Sequence, residues 1–122
     1  MGELAFLPLG GTGEIGMNLN LYRWREAGQE TWIAVDCGIG FGGSEYPEVE
    51  VMMADPGFIA ERRGRLRGLV ITHAHEDHIG AVAWLWPQLQ CPVYATPFAA
   101  AVLRRKLVEV GLVNQVPVHV IA

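Results

Sequence analysis

The chain has 122 residues, enough for one domain with a core of its own. Nine Lys and Arg stand against thirteen Asp and Glu, and the net charge of -4 gives these residues alone no electrostatic reason to bind nucleic acid. Hydrophobic residues make up 51% and mean hydropathy is +0.23, as expected if further polypeptide covers some apolar surface. No apolar run reaches membrane-spanning length, and no basic segment at the start suggests a secretory signal.

Glu3 to Leu9 reads as a first strand. Gly10, Gly11, Gly13 and Gly16 then open a loop that can approach a ligand closely or adopt positive φ. A strand pattern follows it, so this is not a dinucleotide fingerprint. From Asn18 to Trp24 the pattern alternates, with Leu19, Leu21 and Arg23 on one face and Asn20, Tyr22 and Trp24 on the other. Glu26 to Glu30 is a polar turn, and Thr31 to Val35 returns as the second arm of an antiparallel hairpin. Asp36 closes that arm at a Gly-containing bend, where aspartate commonly shapes the turn. Residues 38 to 50 are expected to be one long irregular loop, with Glu45, Glu48 and Glu50 exposed. Asp55-Pro56 reads as N-cap and first residue of a short helix toward Arg62, and Leu66 to Thr72 as a buried strand.

Ile79 to Trp86 reads as an apolar helix stopped by Pro87, with Trp84 and Trp86 expected in the core. Pro92 to Ala95 is a short strand. Thr96-Pro97 open a helix that runs through Val110, carries Arg104, Arg105 and Lys106 in its later turns, and stops at Gly111. Val116 to Ala122 is a last strand, whose His119 is structural or exposed. Cys37 and Cys91 lack paired spacing and read as buried, reduced thiols of a cytoplasmic protein. The basic groups Arg23/Arg25, Arg62/Arg63/Arg65/Arg67 and Arg104/Arg105/Lys106 are accounted for as solvated faces. A strand, a hairpin and then alternating strands and helices predict an α/β fold with a mixed sheet flanked by helices.

The most specific stretch is Thr72-His73-Ala74-His75-Glu76-Asp77-His78. If the preceding strand ends near His73, period-2 alternation sends His73 and His75 to the same side, where two neutral imidazoles can grip one cation. Asp77 and His78 fall on the turn into a helix and can hold a second. Carboxylate and imidazole together suit zinc, and also manganese or iron. Occupancy should fall as pH drops through the histidine range, because each imidazole must be unprotonated to bind. The blander alternative is a His-rich polar loop with incidental metal affinity.

His73-x-His75-x-Asp77-His78 resembles the signature of the metallo-β-lactamase fold. Together with Leu9-Gly10-Gly11-Thr12-Gly13-Glu14-Ile15-Gly16-Met17-Asn18, Val35-Asp36-Cys37-Gly38 and Cys91-Pro92-Val93-Tyr94-Ala95-Thr96-Pro97-Phe98, it makes the chain resemble the ribonuclease J family over essentially all of its length. Members of that family are much longer. The resemblance implies that residues 1–122 are the amino-terminal part of a metallo-β-lactamase domain, half of an αββα sandwich, with the β-CASP insertion and the carboxy-terminal half outside it. It implies two Zn2+, with Mn2+ or Mg2+ as substitutes: His73 and His75 hold one, Asp77 and His78 the other, and Asp77 also accepts a proton. Asp36 is then a carboxylate behind the ligands that fixes their framework, and Gly13, Glu14 and Asn18 belong to an active-site loop. The implied activity is hydrolysis of RNA phosphodiesters, 5′-to-3′ exonucleolytic and endonucleolytic, in rRNA processing and RNA decay. The implied setting is a cytoplasmic homo-oligomer away from membranes. Two alternatives stay open. One is another hydrolase of this fold, acting on a thioester, lactone or small phosphodiester; the other is a non-catalytic metal-binding half-domain, since a dinuclear site needs more ligands than this segment offers.

Overall fold

Alternation of β-branched and aromatic residues with polar ones puts the early part of the chain into strands. The structure is a computed structural model that describes residues 2–11, 16–40 and 51–121. Strands β1 (Glu3–Gly10), β2 (Leu19–Glu26) and β3 (Gln29–Val35) form an antiparallel meander. Ala27 and Gly28 link β2 to β3 with φ of 51° and 80°, the left-handed pair that matches strand twist in a two-residue hairpin.

The chain then makes a short ribbon of β4 (Ile39–Gly40) and β5 (Met52–Met53), a one-turn helix α1 (Gly57–Ala60) and a 3-10 turn at Arg63–Arg65. Strand β6 (Leu66–Ile71) joins β3 in parallel. After helices α2 (Glu76–Ile79) and α3 (Val82–Leu89) comes β7 (Val93–Ala95), and after α4 (Pro97–Glu109) comes β8 (Val118–Val120). The main sheet has the order β1-β2-β3-β6-β7-β8, antiparallel at one side and parallel at the other. It is the mixed sheet with flanking helices that the pattern predicts.

One face of this sheet carries the core. Leu19, Leu21, Ala34, Leu69, Ile71, Val93 and Ala95 pack against Val82, Leu85 and Leu89 of α3 and Ala99, Leu103 and Leu107 of α4. The opposite face is apolar and open: Leu4, Phe6, Trp24 and Ile33 are exposed, and the Phe6 and Tyr22 rings stand 5.1 Å apart across β1 and β2. Among the described residues, no helix is long and apolar enough to cross a membrane.

Local readings needed correction where tertiary packing outweighed a local signal. Pro56, expected inside α1, occupies its N-cap; Asp55 Oδ1 accepts the Gly57 N–H at 2.9 Å, so the aspartate turn forms one residue early. Pro87 does not stop α3, which runs on to the fully buried Leu89 and ends at Gln90 with φ 49°. Ile39 and Gly40 pair with β5 where a loop was expected, while Glu45, Glu48 and Glu50 lie outside the described residues. Trp86 is buried and its indole donates to the Cys91 carbonyl at 2.8 Å, but Trp84 is 61% exposed. The basic side chains near β2 are engaged locally. Arg23 pairs with Glu3 at 2.6 Å, the Arg62 guanidinium sits 3.8 Å from the Phe58 ring centre, and Arg25 and Arg65 flank Glu30. The Trp32 indole hydrogen bond, aided by those arginines, holds the Glu30 carboxyl below its usual range.

Cys37 and Cys91 are both buried and free. Burial, with smaller contributions from Cys91 and Asp36, pushes the Cys37 thiol up to about 12; burial pushes Cys91 up to about 11. Both are neutral thiols at physiological pH, and it is the thiolate that reacts. Neither should react with a thiol reagent at pH 8 in the native chain, and both should react once urea unfolds it. The stability gained by keeping these thiols neutral is complete below the ordinary cysteine range and falls as pH rises through it toward the folded values. Leu103→Ala should lower stability by about 2–5 kcal/mol, and Trp84→Ala by no more than about 0.5 kcal/mol, in urea unfolding monitored by circular dichroism.

Candidate metal centre

Strand β6 ends at Ile71, and His75, with extended backbone, is the N-cap of α2. His73 and His75 therefore stand on the connecting turn, and Asp77 and His78 lie in the first turn of the helix. The His73 and His75 rings are roughly parallel with centres 6.2 Å apart, and the His73 and His78 rings are 4.6 Å apart. His73 thus sits nearer His78 than its expected partner His75. Asp77 Oδ2 lies 3.4 Å from His78 Nε2. Among the described residues, no three His, Cys, Asp or Glu side chains already surround one point as the ligands of an ion would.

Behind these rings lies Asp36, the one buried charged side chain among the described residues. Its backbone has φ 65°, a conformation that costs an aspartate about 1 kcal/mol or more. Hydrogen bonds offset that cost. Oδ1 accepts the Thr72 N–H at 2.7 Å, the Thr72 hydroxyl lies 2.9 and 2.7 Å from the two carboxylate oxygens, and His78 Nδ1 lies 2.7 Å from Oδ2. One carboxylate at the end of β3 thereby binds the residue after β6 and the first turn of α2.

The same bonds set the histidine tautomers. His78 donates its Nδ1–H to Asp36, so that in the neutral ring the lone pair is on Nε2, the nitrogen 3.4 Å from Asp77 Oδ2. The single proton of the Thr72 hydroxyl goes to the carboxylate, so His73 Nδ1, 2.9 Å from that oxygen, is the donor and in the neutral ring the lone pair is on Nε2. A neutral imidazole so anchored offers Nε2 to a divalent cation, and the other nitrogen is held as metal-binding histidines require. The chemistry of the donor set therefore fits a divalent ion.

Backbone contacts fix the first turn of α2 from below. The Asp77 carbonyl accepts both the side-chain amide of Asn18 at 2.7 Å and its backbone N–H at 3.3 Å, while the His78 carbonyl accepts the Cys37 N–H at 2.8 Å. Gly38 is essential to this approach, because a side chain there would fall inside the Asp77 carbonyl oxygen. Asn18, expected in an active-site loop, thus reaches Asp77 through its backbone; Gly13 and Glu14 lie outside the described residues. Sequence reasoning quoted Thr72 and Gly38 within its motifs but gave neither a role in the site. Thr72 stood there as the end of a strand beside a histidine, and nothing in the spacing of Gly38 reveals what packs on it.

Residues 20–120 match the family described as the Metallo-beta-lactamase superfamily. The chain belongs to this superfamily. Ribonuclease J of Sinorhizobium meliloti is 50% identical over 118 residues, covering 97% of this chain and 21% of that protein. Ribonuclease J 1 of Streptococcus pyogenes is 38% identical over 117 residues, covering 96% of this chain and 20% of that protein. The chain therefore spans about a fifth of the length of these curated relatives. A crystal structure of the DIM-1 metallo-beta-lactamase is 21% identical with a TM-score of 0.46, over 84% of this chain and 42% of that one.

Asp36→Ala strips the acceptor from two Thr72 donors and from His78 at a part-buried spot, and should cost about 1–3 kcal/mol in urea unfolding. A loss below about 0.5 kcal/mol would show that the carboxylate does not organise this corner.

Proposed function

We propose that this chain supplies metal ligands to a ribonuclease J-like hydrolase that cleaves RNA phosphodiester bonds, as a 5′-to-3′ exonuclease and endonuclease in rRNA processing and RNA decay. The observation that carries the reading is the pair of imidazoles His73 and His78, whose Nδ1 atoms are held by Thr72 and Asp36, so that Nε2 is the nitrogen each neutral ring can offer a cation, with Asp77 Oδ2 3.4 Å from His78 Nε2. Similarity to ribonucleases J from two bacteria supports the substrate class.

In this reading His73 and His75 hold one Zn2+ and Asp77 and His78 a second, with Mn2+ or Mg2+ as substitutes. When bound, the ions supply Lewis acidity for phosphodiester hydrolysis. The chain's own residues do the rest. Asp36 and Thr72 hold the ring orientation, Asn18 holds the Asp77 backbone, and Asp77 takes a proton from the attacking water. Gly13 and Glu14 belong to the adjoining loop.

Residues 1–122 act as the amino-terminal part of a metallo-β-lactamase domain, half of an αββα sandwich; the helix-free apolar face of the sheet supports this. Because the net charge is -4 and the arginines near β2 are locally engaged, RNA contacts come from outside these residues. The enzyme works in the cytoplasm as a homo-oligomer.

Zinc titration of the chain against a His75→Ala, Asp77→Ala variant tests the ligand assignment. The double substitution should weaken binding by more than about tenfold, and equal affinity would refute it. EDTA-sensitive cleavage of a 5′-monophosphorylated RNA, with a lactone, a thioester and a small phosphodiester as competing substrates, tests the substrate class. Preference for any of the small substrates would favour the other hydrolases of this fold.

A further inference from the structure

Glu76 sits in the middle of the ligand stretch, yet its carboxylate is paired outside that stretch. Its Oε1 pairs with Lys106 Nζ on α4, thirty residues later in the chain. Lys106 is firmly based, because Leu103 and Leu107 on either side of it are fully buried. Gly80 makes room for the other oxygen: a methyl group there would lie 2.5 Å from Glu76 Oε2 and 2.8 Å from Ile39 Cγ1. An acidic residue also suits the first turn of a helix, and Glu76 is the first residue of α2.

Helix α2 has only four residues and cannot hold its own conformation, since a single turn fixes many dihedrals for few hydrogen bonds. Asn18 and Cys37 hold its backbone at Asp77 and His78. We infer that the Glu76–Lys106 ion pair, seated over Gly80, is a positioning clamp that ties the first turn of α2 to α4 and so fixes where Asp77 and His78 present their side chains. This rests on the reading of those two residues as ligands. Glu76 and Lys106 touch neither ion nor substrate in it and act through the helix alone.

The test combines amide hydrogen exchange of the metal-free chain with zinc affinity, in wild type, Glu76→Gln, Lys106→Met, the double variant and Lys106→Arg. The probes are the N–H groups of His78, Ile79 and Gly80, which close the α2 turn onto His75 and Glu76. Each neutralising variant should speed exchange at these amides and weaken zinc binding by roughly threefold, the scale of a partly exposed ion pair. The double variant should be no worse than either single one, as for two halves of one interaction, and Lys106→Arg should restore both readouts. If wild type binds zinc and the variants match it in exchange and affinity, the clamp is overturned and the ligand reading stands. If wild type binds no zinc, the ligand reading fails, and with it the assignment of the clamp to Asp77 and His78. Additive losses, or no rescue by Lys106→Arg, would also overturn the clamp by showing two separate packing effects.

Discussion

The Asp36 carboxylate holds three parts of the chain at one point: the end of β3, Thr72 after β6, and His78 in α2. A buried carboxylate is costly unless its oxygens are satisfied, and here they take up backbone, hydroxyl and imidazole donors together. The left-handed backbone at Asp36 turns the chain so that the side chain reaches back toward Thr72 while Cys37 and Gly38 run on beside α2. The Cys37 N–H meets the His78 carbonyl, and the Ala81 N–H meets the Cys37 carbonyl. The candidate ligand turn is therefore clasped between two strand ends and not carried on a free loop.

Much of the scaffold was legible because its signals are local. Alternation from Asn18 to Trp24 fixed which face of β2 is buried, and Leu19 and Leu21 are indeed fully covered. The apolar run from Leu66 followed by the histidines marked the strand-to-helix junction. What stayed hidden depends on partners distant in sequence. The pairing of Ile39–Gly40 with Met52–Met53 involves too few residues to leave a periodic signature. Pro87 carries a strong local signal to stop, and the burial of Leu89 outweighs it. In the candidate site the residue types could be named in advance, but the tautomers could not. They follow from Thr72 lying between Asp36 and His73, which only the folded arrangement supplies.

The sheet is lopsided in a way that bears on the chain's chemistry. Helices cover one face, and the other presents Leu4, Phe6, Trp24 and Ile33 to solvent. Aromatic and aliphatic side chains in such a row stabilise a sheet by cross-strand contact even before anything covers them. The Tyr94 and His119 rings, stacked with centres 5.0 Å apart, do the same between β7 and β8. His119 therefore has a packing role against Tyr94.

The parallel pairing of β3 with β6 also sets an order of events. The hairpin of β2 and β3 closes over two residues, but β6 can join only after the connection through β4, β5 and α1 has been gathered in. Pairing across so long a separation carries a loop-closure cost and comes slowly compared with local contacts. Asp36 lies at one end of that connection and Thr72 just past β6. The carboxylate consequently spends the early stages of folding in water, without the donors that will orient the histidines. Those rings acquire fixed tautomers only when the central strands have met, so a chain halted short of that step carries all the same side chains in no defined arrangement.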